Sequence, residues 1–199
     1  MKHATALILL IKNPELGKAK TRLAKTVGDA RALRIYHELL RHTREVAEQI
    51  DAHRYVHYSS FVDTRDDWSA EKFTKSLQPA GDLGERMRTA FAAALEQHDR
   101  AVIIGSDCAT LTPDIVNNAI AALDTHDAVI GPATDGGYYL LGLKDLSVDV
   151  FSGMTWSVDT VGSETVRRLT EAGKSIATVP ELSDIDTEAD WNQYGWDVP

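Results

Sequence analysis

The chain opens on an unbroken apolar run, Ala4 to Ile11 in "ATALILLIK", and this run constrains the fold more than any other stretch. It is too short for a membrane helix, which needs about 20 apolar residues. Lys12-Asn13-Pro14 follows it where a secretory signal would place a small-residue cleavage site. Apolar side chains on consecutive rather than alternate positions mean a strand covered on both faces, as in a parallel sheet. Parallel neighbours need long crossovers, usually helices, and the remainder of the chain supplies them.

Helical periodicity runs from Asp29 to Ile50, with Leu33, Tyr36, Leu39, Leu40, Thr43, Val46, Ala47 and Ile50 near one stripe. "RYVHYS" and "FTKSL" read as strands, "LGERMRTAFAAALEQH" as a helix of strong helix formers, and "AVIIG" as another buried strand. "TPDIVNNAIAALDTH" opens with Thr112 as N-cap, Pro113 at the first helical position and Asp114 in the first turn. "DAVIGPA" and "GYYLLGL" follow as strands. "DTVGSETVRRLTEAG" is a helix closed by Gly173, "SIATVPEL" a late strand and "TEADWNQYG" a last short helix. The alternation predicts βαβ units in an α/β fold: a three-layer α/β/α sandwich on a Rossmann-like, mostly parallel sheet. With 199 residues and no linker, repeat or low-complexity tract, a single domain over residues 1–199 is expected.

Charge narrows the partners. Lys plus Arg is 21 against Asp plus Glu 30, a net charge of −9, which excludes a protein that wraps nucleic acid. A small anion needs only a few local cations and stays open. No run is long enough for a membrane span. The one cysteine, Cys108, rules out a disulfide framework and a cysteine metal cluster and fits a cytoplasmic location. It reads as a small buried thiol, not a nucleophile. The histidines (His3, His37, His42, His53, His57, His98 and His126) show no metal-ligand spacing. Trp68, Trp191 and Trp196 read as packing residues.

Four stretches carry the chemistry. In "VIIGSDCATL" a buried strand ends in Ser106 and then Asp107. Ligands of open parallel sheets sit outside the carboxyl ends of the strands, so Asp107 stands where a metal or substrate ligand would, although Asp also suits a plain turn. "KNPELGKAKTRLAK", after the first strand, gathers Lys12, Lys18, Lys20, Arg22 and Lys25 on a loop tightened by Pro14 and Gly17. That is the composition of a phosphate grip, with a solvated basic loop as the plainer reading. It is not a P-loop, because position 12 is Lys and Ala19 follows Lys18. In "QPAGDLGERM", Gly81 and Gly84 bracket Asp82 and Leu83 before a helix, which suits either an anion approach or an Asp82 cap with a turn. In "PATDGGYYLLGL", Asp135-Gly136-Gly137 suits a hairpin turn or a floor beneath a substrate, with Asp135 or Tyr138 facing it. The late "SDIDTEADW" adds Asp184, Asp186 and Asp190. Asp186 can join Asp107 around a hard divalent cation, which takes one or two protein carboxylates and completes its shell with phosphate and water. Asp186 or Thr187 also serves as a cap for the last helix. A haloacid-dehalogenase-like hydrolase would want D-x-D after the first strand, where this chain has "LIKNP".

Taken in order, "KNPELGKAKTRLA", "GDLGERM", "IIGSDCATL", "GPATDGGYYLLGL", "MTWS" and "DIDTEAD" resemble a family of bacterial transferases of GT-A fold. These are described as glycosyltransferase-like or radical-SAM/selenodomain-associated transferases. They are more distantly similar to molybdenum-cofactor guanylyltransferase and phospholactate guanylyltransferase. The likeness spans nearly the whole chain, with one departure: Ala109 stands where the family has proline. The resemblance implies a nucleotide-diphospho-sugar transferase type of fold. The implied activity is metal-dependent transfer from a nucleotide-sugar (glycosyl) or a nucleoside triphosphate (nucleotidyl) to a small-molecule acceptor. The alternative is a non-catalytic nucleotide-binding or partner-binding module on the same fold. It implies Mg²⁺ or Mn²⁺ as cofactor, held by Asp107 with Asp186, and Asp184 as fallback. Lys12, Lys20 and Arg22 would face phosphates, with Gly17 and Ser106 beside them. Gly81, Asp82, Leu83 and Gly84 would lie by the base or ribose. Asp135, Gly136, Gly137, Tyr138 and Trp156 would face the acceptor or sugar, and Asp107, Lys20 and Arg22 would carry the catalysis.

Overall fold

A computed structural model describes residues 4–198; Met1, Lys2, His3 and Pro199 lie outside the described residues. The apolar opening run forms β1 (Thr5–Ile11), and β2 (His53–Tyr58) and β3 (Phe73–Leu77) pair outward from it in parallel. On its other side β1 pairs in parallel with β4 (Arg100–Ile104). β6 (Tyr138–Leu143) lies antiparallel between β4 and β5 (Ala128–Pro132), and β7 (Ile176–Thr178) pairs in parallel with β5. The order β3-β2-β1-β4-β6-β5-β7 makes one mostly parallel sheet of seven strands, with β6 reversed. The sheet grows one way from β1 to β3 and the other way from β4, so the carboxyl ends of β1 and β4 flank the switch point where open α/β sheets bind ligands.

Alternate side chains of β1 build the two faces. Leu7, Leu9 and Ile11 pack with Tyr36 and Leu40 of α2 (Asp29–Glu48) and with Val116 and Ala119 of α4 (Pro113–Ala122). Ala6 and Ile8 pack with Met87, Ala90 and Phe91 of α3 (Leu83–Leu95) and with Leu169 of α5 (Val161–Glu171). These are the three layers expected. The start signals work as read: Thr112 accepts from the Ile115 amide with Pro113 behind it, and Asp82 and Glu85 close a reciprocal capping box on α3. Thr187 and Asp190 close another on α6 (Glu188–Tyr194).

Two expectations need correction. The basic stretch after β1 is only in part a loop, because Thr21–Val27 is a short helix, α1, carrying Arg22 and Lys25. Seven residues are too few to be helical alone. Tertiary packing supplies the stability, with buried Leu23 set among Ile35 and Leu39 of α2 and Trp191 of α6. The late strand is also shorter than "SIATVPEL", covering Ile176–Thr178 only. Beyond it the chain crosses the carboxyl ends of the sheet: the Leu182 amide donates to the Pro132 carbonyl (3.1 Å), and the Ile185 amide donates to the Asp107 carbonyl (2.9 Å). This crossing carries the C-terminal aspartates back to the switch point.

Candidate functional site

A crevice of about 530 Å³ opens at the carboxyl ends of β1 and β4. One wall is charged. Lys20 precedes α1 in a left-handed conformation (φ 50°), uncommon for a residue with a side chain. This turn brings its side chain inward, where only 5% of it stays exposed. Its Nζ lies 2.9 Å from Asp107 Oδ2 and donates to the Ile185 carbonyl at 2.6 Å. Lys20 therefore clamps the β4 loop to the C-terminal crossing, and Asp107, 40% exposed, turns its remaining surface to the crevice. From the second position of α1, Arg22 Nη1 donates to Asp186 Oδ2 at 3.0 Å. Asp184 forms a backbone bridge with Cys108 and accepts from its thiol at 2.8 Å. Burial pushes the Asp184 carboxyl up to about 6 and raises the Cys108 thiol far above its ordinary value, so Cys108 stays protonated. Tyr36 closes this wall: its hydroxyl accepts from the Lys12 amide and donates to the Lys12 carbonyl, each at 3.0 Å. Burial, reinforced by the Asp107 charge, raises the phenol and keeps it neutral.

The opposite wall is apolar. Leu10, Met87, Ile103, Tyr138 and Trp156 belong to the packed cluster on the α3 face of the sheet. The Trp156 ring covers Gly84, where an added Cβ would come within 2.6 Å of the indole. Its Nε1 is buried without an acceptor. Asp135 and Gly137 lie between the walls, on the β5–β6 connection. The turn reading holds here: the Gly136 amide donates to the Ala133 carbonyl, and the Ala133 amide to the Gly137 carbonyl. Gly136 is required at φ +86°, since a Cβ there would strike the backbone of Asp159.

Of the residues singled out in the sequence, the crevice gathers Lys12, Lys20, Arg22, Leu83, Ser106, Asp107, Asp135, Gly137, Tyr138, Trp156, Asp184 and Asp186. Gly17, Gly81, Asp82, Gly84 and Gly136 are not among its lining residues; Asp82 caps α3, and Gly84 supports Trp156 from behind. Lys18 pairs with Glu15 in solvent. Sequence reasoning missed Tyr36, Met87 and Val158. Tyr36 lay in a helical stripe that reads equally as core, and its hydroxyl was the one hint of a polar neighbour.

The crevice holds three cations (Lys12, Lys20, Arg22) against four carboxylates (Asp107, Asp135, Asp184, Asp186), a formal balance of −1. A polyphosphate entering it would meet no net positive charge. Among the described residues no group of three His, Cys, Asp or Glu side chains could hold a metal alone. Asp107 and Asp186 each engage one carboxylate oxygen in an ion pair. That donor set suits a hard cation sharing its shell with ligand oxygens, not one caged by protein. Among the described residues no helix is long and apolar enough to cross a membrane.

Comparison with known proteins agrees with this architecture. A protein of Desulfovibrio desulfuricans G20, named by inference as a nucleotide-diphospho-sugar transferase, is 32% identical, with 92% of this chain and 83% of that chain aligned and a TM-score of 0.83. The fold is also that of 4-diphosphocytidyl-2C-methyl-D-erythritol synthase of Anaerococcus prevotii (12% identity, 98% of each chain, TM-score 0.61). Glucosyl-3-phosphoglycerate synthase of Mycobacterium tuberculosis, solved with Mn²⁺, UDP and glucosyl-3-phosphoglycerate, shares it too (12% identity, 92% of this chain and 71% of that one, TM-score 0.53). No curated protein matches the chain. The model of the family described as "uncharacterized protein conserved in bacteria", DUF2064, matches residues 42–158, more than half of the sequence, and the chain belongs to that family.

Proposed function

We propose that the chain is a nucleotide-dependent transferase of a single domain, using a nucleotide-sugar or a nucleoside triphosphate and a divalent cation, Mg²⁺ or Mn²⁺. One observation carries this: the cations Lys12, Lys20 and Arg22 of the stretch after β1 meet the sequence-distant Asp107 and Asp186 in one crevice at the switch point of the sheet. Of the neighbours of this fold, one was solved with Mn²⁺ and UDP, which supports the reading.

In glycosyl transfer an acceptor oxygen bonds to the sugar carbon as the carbon–diphosphate bond breaks. The diphosphate leaves with the electron pair, and the acceptor proton passes to water. In nucleotidyl transfer an acceptor phosphate oxygen bonds to the α-phosphorus and pyrophosphate leaves. Both place growing negative charge on phosphate oxygens, so catalysis is chiefly positioning and electrostatics. Arg22 offers a planar fork of donors and Lys12 a point charge. Lys20 holds Asp107 in place through its ion pair and through the Ile185 carbonyl. A cation held by Asp107 and Asp186, with Asp184 behind them, would neutralise the phosphate oxygens.

Arg22 is exposed and outside the core. Arg22→Ala is therefore expected to leave the melting temperature within about 2 °C, as surface substitutions do. It should weaken UDP and CTP about tenfold, the scale of one charge-assisted hydrogen bond, and uridine and cytidine hardly at all. Calorimetry in Mn²⁺ buffer reads this difference. Equal losses for nucleoside and nucleotide would remove Arg22 from the phosphates.

A further inference from the structure

The crevice divides its chemistry between its walls, and the division bears on the second substrate. Of the cations it contains, Lys20 pairs with Asp107 and Arg22 with Asp186 on the charged wall, and Lys12 follows the end of β1. The α3 side contributes Leu83, Met87, Tyr138, Trp156 and Val158, with no cation or histidine. Leu83 is 45% exposed and Val158 39% exposed, although the chain buries most of its large apolar side chains. These two exposed apolar residues line the same crevice as the Trp156 indole and the Tyr138 ring and add uncovered apolar surface to it. Asp135, on the β5–β6 connection, also lines the crevice, and its charge is negative.

We propose that this half of the crevice receives an uncharged small molecule with an aliphatic or aromatic face, and that it rejects acceptors presenting a phosphate or carboxylate there. Desolvating an anion against this wall would be poorly compensated: the wall's own side chains supply no cation, Lys20 and Arg22 across the crevice are paired with Asp107 and Asp186, and one buried indole N–H does not replace an anion's hydration. An apolar face would instead remove Leu83, Val158 and the Trp156 ring from water. The proposal rests on the nucleotide reading for the identity of the other half, but the chemistry of this wall stands independently of it. Gly84 ties the wall to α3: an added Cβ would meet the Trp156 ring at 2.6 Å and the Phe151 carbonyl at 2.9 Å, displacing the indole.

The test titrates the full chain by calorimetry with octyl β-D-glucoside below its micelle concentration and, separately, with glycerol 3-phosphate. Both titrations are run with and without UDP and Mn²⁺. Octyl glucoside is expected to bind, and Val158→Asp and Gly84→Ala are each expected to weaken it at least about tenfold, the scale of removing or obstructing one apolar side chain in the wall. Glycerol 3-phosphate should give no further heat at the same concentrations once UDP and Mn²⁺ are bound. Circular dichroism confirms that both variants fold. Absent octyl glucoside binding, binding indifferent to both substitutions, or tighter binding of glycerol 3-phosphate would each overturn the proposal. Octyl glucoside binding as expected with no UDP binding would sink the nucleotide reading and leave this one standing.

Discussion

Asp107→Asn is expected to weaken Mn²⁺-dependent binding of UDP or CTP by roughly 10- to 100-fold, the equivalent of about 1.5–3 kcal/mol for one interaction with a charged group. The loss should appear in calorimetry run with Mn²⁺ and largely vanish when EDTA replaces it, because the substitution removes a ligand for the cation and no contact to the base. The same change also touches the fold. The Lys20 ammonium is nearly covered and has Asp107 and the Ile185 carbonyl as partners. An asparagine amide oxygen can still accept from it, so the stability cost is set at about 1 kcal/mol, well below that of a stranded buried charge. The melting temperature should fall by only a few degrees. Unchanged nucleotide affinity in a folded Asp107→Asn protein would falsify the assignment of this carboxylate.

The largest effect on stability alone is expected at Phe91. Its ring is fully buried in the layer between α3 and the sheet, with its centroid 5.8 Å from that of Phe151. Phe91→Ala removes that surface and leaves a cavity that a close-packed interior fills only in part, a cost of about 3–5 kcal/mol. For a domain of this size that is a drop of roughly 6–20 °C in melting temperature. Phe91 does not line the crevice, so nucleotide binding measured well below the melting point should be unchanged. A stability loss under about 1 kcal/mol would show that this layer repacks freely, contrary to its burial.

The layers of the fold were legible because they depend on local signals. The continuous apolar run of β1 announced a strand covered on both faces, and Thr112-Pro113 and Asp82…Glu85 announced their helix starts. The short α1 was not legible, because its stability comes from Leu23 meeting Ile35 and Trp191, residues distant in sequence. The site was readable as a set of residue types at strand ends, Asp107 above all. Its pairings were not. That Lys20 would be spent on Asp107, and Arg22 on Asp186, follows from the chain crossing at Leu182–Ile185, which no local pattern predicts. The apolar wall was legible only in part, at Leu83, Tyr138 and Trp156; Met87 and Val158 escaped notice for a similar reason, since they join that wall only when α3 packs against β6 and the Trp156 loop.

The strand-end carboxylate and the cations after β1 are proposed to hold one nucleotide and one divalent ion between them, and the rest of the mechanism depends on that. An anomalous difference map from crystals grown with CTP or UDP and Mn²⁺ measures this directly. The expected result is a manganese peak within coordination distance of the Asp107 carboxylate, bridged to phosphate oxygens that Lys12 or Arg22 also contacts. A nucleotide bound elsewhere on the molecule, or a manganese peak with no oxygen of Asp107 or Asp186 beside it, would contradict it.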